Sequence, residues 1–518
     1  MKKKIVGICV CMLVLATAFP AVMSVKNNAI SGLISSPSVS SMAEMWTEEQ
    51  KLLAADGATL DSFGWSVALS GDTVLIGADQ NDDNGQASGS VYVFTLTGTT
   101  WTQQALLLPL DGAAGDRFGY AVALAGDTAF IGAVMDENQT GAVYVFNRTG
   151  TTWIQQQKLT APDGAVGDDF GVSISPSGDT VLIGANWNDD NGEKSGSAYV
   201  FIRNGTIWTY QALLLPSDGV ADDRFGYAIS LSGDTALIGA WNDDSAKGSA
   251  YIFTRSGTTW TEQQKLYAPD GEAGDNFGIA VALDGNTALI GAQYDSENGA
   301  NSGSVFVFIN SGTNWIQQAK LLAKDGAAMD IFGCPVFLDG DTALIGAAYD
   351  DDTGANSGSA YIFTRTGTTW TQQAKLLASD GHSGNQFSLN GIFLEGDTAV
   401  IGAPFGYNNT LRTGSAYIFT KVGLTINING GLGVTLKIKN NGVVKANDVP
   451  WRLHVEGGIL RLINKTMNGT VNITAGETIP VATIKLFGFG RITITAKVAE
   501  EEQIMTGTQI LVFSIVKT

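Results

Sequence analysis

One pattern recurs seven times along the chain and constrains its fold more than any other feature. Each copy has a Phe, usually followed by Gly, then small alternating residues, a tight turn and an apolar run that ends in Ile-Gly-Ala, as in residues 118–133. A Trp recurs in the same register at Trp46, Trp101, Trp153, Trp208, Trp260, Trp315 and Trp370. The intervals between these tryptophans are 52 or 55 residues. A near-fixed period of this length indicates an array of similar units that stack on one another.

Each unit is predicted to contain four short antiparallel strands. In residues 118–159, the first strand is built of small alternating residues, and the second, from Thr128, is apolar on both faces. The third alternates again, and Thr149-Gly150 then turns the chain into a partly polar fourth strand that begins near Trp153. No unit can cover its own apolar faces, but seven units can cover one another in a ring. The sequence therefore predicts an all-β fold with a seven-bladed β-propeller at residues 45–422.

The two ends of the array complete each other. Trp46 to Leu53 has the pattern of a fourth strand without the rest of its unit, whereas residues 387–419 supply three strands with no Trp-bearing strand after them. We therefore expect the N-terminal strand to join the last blade and close the ring.

These residues carry a family resemblance. The seven Phe-Gly and Gly-Ala signatures between residues 46 and 422 resemble FG-GAP repeats, the units of the integrin α-subunit head. The resemblance implies a seven-bladed propeller in a secreted or surface protein that binds other molecules. Integrin-type repeats often carry an Asp-x-Asp-x-Asp-Gly calcium loop between the first two strands. Here that place holds only a short turn, such as Ser70-Gly71-Asp72, so the chain resembles the shorter prokaryotic variant and the calcium cage is not carried over to any blade.

Residues 423–518 break the period. Short β-rich runs such as Val434 to Ile438 and Trp451 to Val455 are separated by Asn- and Gly-containing turns. About seven strands in this length predict a small immunoglobulin-like β-sandwich without a disulfide. The apolar run Ile510 to Val516 is too short to span a membrane and is expected to close the core of this domain.

The first 44 residues are predicted to be a targeting sequence followed by a linker. Three lysines precede a short apolar run that ends near Phe19, which is typical of a cleaved secretory signal peptide at residues 1–24; an uncleaved anchor is the alternative. Residues 25–44 are Ser-rich and are expected to be a linker. These features predict a secreted or cell-surface protein with no membrane span after cleavage. Seven Asn-x-Ser/Thr sequences permit glycosylation.

The formal net charge is −20, which disfavours binding to nucleic acid or to anionic membranes. Acidic residues cluster in the loops between the second and third strands, for example Asp79 with Asp82 and Asp83, and Asp350 to Asp352. Such oxygen ligands make calcium possible, but the spacing matches no calcium loop, so solvated loops without metal or other cofactor are expected.

The same loops carry aromatic residues close behind each Gly-Ala, and these are the candidate ligand-binding residues. Aromatic rings with carboxylates suit either a glycan or a protein partner outside the cell, although the rings could instead pack between blades. His382 lies in the turn before Phe387 and joins the set as an exposed polar group. The set is Trp187, Trp241, Tyr294, Tyr349, Phe405 and His382.

The function predicted is that of a non-enzymatic binding or adhesion protein. His382 and His454 are the only histidines, they fall in different predicted domains, and nothing marks a nucleophile beside either. Two alternatives remain open. One is a carbohydrate-active enzyme, since propellers also carry glycosidases and lyases, although no catalytic carboxylate pair stands out. The other is a purely structural module of the cell envelope.

Overall fold

The structure is a computed structural model that describes residues 38–408, 410–429, 434–457, 463–485, 488–499, 501–511 and 513–517. Side chains are described for these residues except 38–41, 488–491 and those beyond 500. The predicted signal peptide and the first part of the predicted linker lie outside the described residues. From Ser38 onward the expected linker is part of a strand, β1 (Ser38–Leu52). The all-β fold is confirmed.

Six consecutive four-stranded antiparallel sheets form blades 1 to 6, and in each sheet the strands follow chain order. Blades 1 to 3 consist of β2 (Ser66–Ser70), β3 (Thr73–Ala78), β4 (Ser90–Thr97), β5 (Thr100–Leu107); β6 (Phe118–Ala125), β7 (Thr128–Ala133), β8 (Ala142–Thr149), β9 (Thr152–Leu159); and β10 (Ile174–Ser177), β11 (Thr180–Ala185), β12 (Ser197–Asn204), β13 (Ile207–Leu214). Blades 4 to 6 consist of β14 (Phe225–Ser232), β15 (Thr235–Ala240), β16 (Ser249–Ser256), β17 (Thr259–Leu266); β18 (Phe277–Asp284), β19 (Thr287–Ala292), β20 (Ser304–Asn310), β21 (Trp315–Leu321); and β22 (Val336–Asp339), β23 (Thr342–Ala347), β24 (Ser359–Thr366), β25 (Thr369–Leu376).

Blade 7 is closed by the two ends of the array. It consists of β26 (Ile392–Glu395), β27 (Thr398–Ala403) and β28 (Ser415–Asn429), and β1 pairs with β28 as the sequence predicts. The Trp46 ring packs against the core of this blade. Thr420 Oγ1 donates to Glu49 Oε2 at 2.7 Å, and Lys51 Nζ lies 2.6 Å from Asp380 Oδ2. The first strand therefore holds the last blade by packing, a hydrogen bond and an ion pair.

The repeated glycines bring neighbouring blades into backbone contact. A Cβ at Gly132, in the Ile-Gly-Ala of blade 2, would collide with the carbonyl oxygen of Gly171 in blade 3. Gly119 follows the repeated Phe at a φ of 92°, and a Cβ there would lie 2.7 Å from Ser90 O. Only glycine allows this approach and this backbone conformation without strain. In blade 7, Ser388 takes the corresponding position at a φ of 71° and donates its hydroxyl to Ser359 O at 2.6 Å.

The two repeat lengths correspond to two forms of the loop between the second and third strands. In the two shorter repeats the loop contains one helical turn, α1 (Asp136–Gln139) in blade 2 and α2 (Asp243–Ala246) in blade 4. Both turns include residues with left-handed φ and ψ, such as Asn138 and Ser245. A tight turn of this kind spans the gap with three fewer residues than the loops of the other blades.

The chain divides into two compact units, of which one is Trp46–Lys421. The described residues of the other form two sheets over one apolar core that includes Leu436, Ile438, Leu453 and Ile494. Its strands are the second part of β28 with β29 (Val434–Asn440), β30 (Ala446–Gly457), β31 (Ile463–Ile473), β32 (Thr478–Ile484), β33 (Gly488–Val498), β34 (Glu501–Leu511) and β35 (Phe513–Lys517). The orders β28-β29-β32 and β31-β30-β33-β34-β35 are those of an immunoglobulin-like sandwich with one added strand. The apolar run near the C-terminus falls across β34 and β35, which form a hairpin.

Candidate functional site

The loops between the second and third strands of each blade and the loops between successive blades lie on one face of the ring. They are tied together by backbone hydrogen bonds, for example Phe118 N to Ser88 O at 2.9 Å and Gly115 N to Gln86 O at 2.9 Å. We call this surface the long-loop face. The opposite surface, the short-turn face, carries the two hairpin turns of each blade.

In five of the seven blades, a lysine pairs with carboxylates of the long-loop face. In blade 6, Lys375 Nζ lies 2.7 Å from Asp325 Oδ2 and 2.8 Å from Asp350 Oδ2, and it also pairs with Asp352. The same ammonium lies 5.2 Å from the centroid of the Tyr361 ring. Equivalent lysines occupy four further blades, at Lys51, Lys158, Lys265 and Lys320. In each of these five blades, a lysine ammonium group therefore occupies the position where a bound cation could otherwise lie.

Blades 1 and 3 show the same site without its lysine. At the position of Lys375 they have Leu106 and Leu213, and at the position of Asp350 they have Asn81 and Asn188. The Asn188 amide donates to Asp168 Oδ2 at 3.3 Å and to Tyr199 Oη at 3.2 Å. An Asp–Lys pair is thus exchanged for an Asn–Leu pair, which removes one negative and one positive charge together. The sequence contained this pattern, but the interpretation of the loops as solvated acidic clusters missed it.

Three carboxylates in blade 6 come close enough together to share an ion. Ligand atoms of Asp325, Asp350 and Asp352 lie within 4.8 Å of one another. Lys375 contacts all three, so its ammonium already provides the positive charge that would attract a metal to this cluster. That these loops hold no calcium stays a prediction.

Two of the predicted aromatic residues present accessible rings. Trp187 is 37% exposed and Tyr294 is 38% exposed. The Arg224 guanidinium lies 4.5 Å from the centre of the Trp187 ring, and Lys194 Nζ lies 5.1 Å from it. The two cations hold the indole in place, so little side-chain entropy would be lost if a partner covered its exposed edge.

Trp241 is placed differently because it directly follows its Gly-Ala, whereas the other four rings come one residue later. Its ring lies 6.4 Å from that of Tyr227, and it packs against an apolar core cluster. Its Nε1 is buried and has no hydrogen-bond partner among the described residues. Both interpretations that the sequence left open therefore occur, with accessible rings at Trp187 and Tyr294 and a packed ring here.

The remaining predicted residues lie in blades 6 and 7. Tyr349 and Phe405 are half-buried, and the Arg412 guanidinium lies 4.4 Å from the centre of the Phe405 ring. His382 is exposed, and its ring lies 6.5 Å from that of Tyr407. These three residues are in the loops of blades 6 and 7, whereas Trp187 is in a loop of blade 3, so they are not assigned to one compact pocket with it.

The sequence analysis missed most of the apolar surface of this face. Among the described propeller residues, every large apolar side chain that is exposed lies either on an outermost strand or on the long-loop face. Those on the long-loop face are Leu60, Leu110, Met135, Val166, Trp187, Val220, Tyr267, Tyr294, Met329, Tyr407 and Leu411. Several occupy the Asp-Gly segments that enter each blade.

The short-turn face has a different character. Its turns carry Asp residues that pair with arginines, as in Arg148 Nε to Asp127 Oδ1 at 2.7 Å and Arg255 Nε to Asp234 Oδ1 at 2.7 Å. Arg148 also reaches across to Thr73 Oγ1 in the preceding blade at 2.6 Å. This face therefore serves to hold blades together.

The comparison with known families agrees with this architecture. The family model described as "FG-GAP repeat" matches seven segments, at residues 46–94, 101–146, 153–201, 208–253, 260–308, 315–363 and 370–419. The chain belongs to the FG-GAP repeat family. Each matched segment begins at a Trp of an outermost strand, so the FG-GAP unit is offset by one strand from the structural blade. No curated protein matches the chain.

FG-GAP propellers are often binding or adhesion modules and are typical of extracellular proteins. Within the described parts of this FG-GAP chain, no helix is both long and apolar enough to cross a membrane.

Proposed function

We propose that this FG-GAP protein is a non-enzymatic binding or adhesion protein, secreted or held at the cell surface, whose long-loop face binds an extracellular protein or glycan. The observation that carries the proposal is the uneven distribution of exposed apolar side chains. The long-loop face carries eleven of them, whereas among the described residues the hairpin turns of the short-turn face carry none, and Ile207 lies directly beside one such turn. Exposed apolar groups rimmed by polar residues mark interaction surfaces, because covering them removes apolar area from water.

Charge narrows the chemistry of the partner. Residues 46–421 contain 43 acidic residues against 16 lysines and arginines. The five lysines that pair with carboxylates of the long-loop face compensate part of its charge, so the face as a whole stays negative. A basic or neutral partner is therefore favoured over an acidic polysaccharide or a nucleic acid.

The test is a binding screen with the purified propeller against a glycan array and immobilised extracellular proteins from the organism that produces it. Trp187→Ala with Tyr294→Ala should weaken binding to any hit by about 1–3 kcal/mol for each ring that acts as an anchor. Tyr210→Ala is the matched control, since Tyr210 is 44% exposed but lies on an outermost strand. Equal binding by the loop and control variants would refute the assignment to this face, and release of soluble sugar from a polysaccharide would favour the enzyme instead.

The same proposal includes the domain organisation and the address. We take residues 1–24 as a signal peptide, 25–44 as a linker, 45–422 as the propeller and 423–518 as the sandwich. Mass spectrometry of protein recovered from the medium or cell surface should find an N-terminus near residue 25. Recovery of the full-length chain from the cytoplasm would contradict both the cleavage and the localisation.

A further inference from the structure

The axis of the propeller contains a cavity of about 240 Å³ whose wall is partly aromatic. The residue after each Phe-Gly faces this space, and in blades 1, 2 and 4 it is Trp65, Tyr120 or Tyr227. The Trp65 and Tyr120 rings lie 5.6 Å apart. The Asn390 side chain of blade 7 also lines the cavity.

The aromatic residues are not required by the fold at these positions. The equivalent residues in blades 3, 5 and 6 are Val172, Ile279 and Cys334, and those blades have the same strands and sheet order. A small aliphatic side chain therefore satisfies the packing needs of the innermost strand. The three large rings with polar atoms must be explained in another way.

The polar atoms of the wall are unpaired. Among the described residues, Trp65 Nε1, the Tyr120 and Tyr227 hydroxyls and the Asn390 amide have no hydrogen-bond partner, although the three aromatic residues are half-buried. Tyrosines on the third strands of the blades are treated differently. Tyr144 donates to Asp136 at 2.7 Å, for example. None of the four wall groups is among the buried polar atoms that lack a partner, so water or a ligand in the cavity can reach and satisfy them.

The wall also indicates the charge of a ligand. No charged side chain lines the cavity among the described residues. An anionic ligand would lose its hydration here without gaining a counter-charge, whereas a hydroxyl group can both donate and accept a hydrogen bond. Burial raises the pKa of Tyr120 to about 12, so its phenol stays a donor at neutral pH.

We propose that the central cavity is a binding site for a neutral polyhydroxylated molecule of about monosaccharide size, held by the rings of Trp65, Tyr120 and Tyr227 and by their free polar atoms together with Asn390. Such a molecule offers an apolar face to the rings and hydroxyls to the donors. The Phe337 and Phe393 rings, 4.2 Å apart, line the next stretch of the axis toward the short-turn face. The exposed rings of Trp187 and Tyr294 do not line this cavity.

The test is titration calorimetry of the full chain with D-glucose, D-galactose, N-acetyl-D-glucosamine and myo-inositol, with acetate and glycine betaine as charged or zwitterionic probes. At least one neutral probe should bind. Tyr120→Phe and Tyr227→Phe remove only a hydroxyl and should each weaken that binding about 2- to 12-fold, the equivalent of one neutral hydrogen bond. Tyr294→Phe and Trp187→Ala on the long-loop face should leave it unchanged.

A second variant fills the cavity. Val172→Trp places in blade 3 the residue that blade 1 carries at the equivalent position, and it should abolish binding while the melting temperature is retained. If this variant misfolds, the two Tyr→Phe variants decide. Binding of no neutral probe would show that the cavity holds water alone and would overturn the proposal. Unchanged binding in the double Tyr→Phe variant, or binding of the charged or zwitterionic probes only, would overturn it as well.

Discussion

Replacing Lys375 by Leu should destabilise blade 6 by about 3 kcal/mol. The Lys375 side chain is 15% exposed and contacts Asp350, which is 4% exposed, and the half-exposed Asp325 and Asp352. Each partly exposed pair contributes roughly 0–1 kcal/mol, whereas the charged hydrogen bond to the buried Asp350 contributes roughly 1.5–3 kcal/mol. The expected loss is therefore at the lower end of the ~3–5 kcal/mol found when a buried pair loses one partner.

A second substitution should restore most of that loss. With Asp350→Asn added, blade 6 has the Asn–Leu combination that blades 1 and 3 already use at Asn81 with Leu106 and at Asn188 with Leu213. The buried carboxylate is then absent, so no uncompensated charge remains. The double variant should recover about 2 kcal/mol relative to Lys375→Leu alone.

The assay is urea unfolding followed by tryptophan fluorescence, with midpoints compared because a seven-bladed ring need not unfold in two states. Lys324→Leu is the control, since this lysine is exposed and, among the described residues, its Nζ bonds only to the Gln372 carbonyl oxygen, at 3.2 Å. Equal midpoints for the two lysine variants, or a double variant weaker than Lys375→Leu, would refute the charge-exchange argument.

The pH dependence gives a further check on the same site. Burial opposes ionisation of Asp325, but hydrogen bonds from Lys375 and its charge outweigh it and hold the Asp325 pKa below its usual value. A lowered carboxyl pKa stabilises the fold above the unfolded pKa of about 4, and this contribution is lost as the pH falls through the folded pKa. The difference in midpoint between the wild type and Lys375→Leu should therefore shrink below about pH 4.

Three other outcomes are expected. Burial raises the pKa of Asp79 to about 6, although the charge of Arg117 opposes the shift, so the folded state retains a proton that the unfolded state releases. The free energy of unfolding should therefore fall by up to ~2–3 kcal/mol as the pH rises from about 4 to 6. Asp79→Asn should remove that fall in a pH series of urea midpoints. Deleting residues 46–54 should lower the melting temperature sharply, because it removes Trp46 and the two hydrogen bonds between Gln50 and the Trp101 backbone. Deleting residues 25–37 should not lower it. Equal melting temperatures for the two deletions would contradict the role of β1 in closing the ring. Chelation should leave the melting temperature within about 2 °C, since lysines and arginines already pair with the loop and turn carboxylates, and a large drop would show that calcium holds the fold.

The sequence was sufficient to predict the ring because the same information occurs seven times. A departure from the pattern in one repeat, such as Ser388 in place of Gly, does not obscure the fold because the other six copies keep the Gly. The closing strand was also predictable, since an orphan Trp46 strand at one end and a three-strand unit at the other have few other ways to satisfy their edges. The β-sandwich was predicted from strand number and spacing, whereas the order of its strands came from the structure.

The site was less predictable because it depends on contacts between distant residues. Lys375 meets Asp325 across fifty positions of sequence, and only the fold shows that the two belong to one site. Trp241 and Trp187 have similar local sequence, yet a shift of one residue after Gly-Ala puts one against Tyr227 and leaves the other 37% exposed. The sequence analysis did not single out Tyr120 and Tyr227 of the central cavity, because sequence alone does not show that their hydroxyls lack partners among the described residues.

The closing strand also sets the order in which the molecule can be completed. Thr420 in β28 and Glu49 in β1 are hydrogen-bonded in blade 7 but are separated by 371 residues. During synthesis, β1 therefore cannot pair until β28 has been made. At a synthesis rate of about 5–20 residues per second, that wait is roughly 20–70 s. During it, the edges of β1 and later of β28 are unpaired and able to accept a strand from another chain. Two such chains could exchange β1 at the cost of no native contact, so dilution during refolding should favour the closed monomer over a strand-swapped dimer.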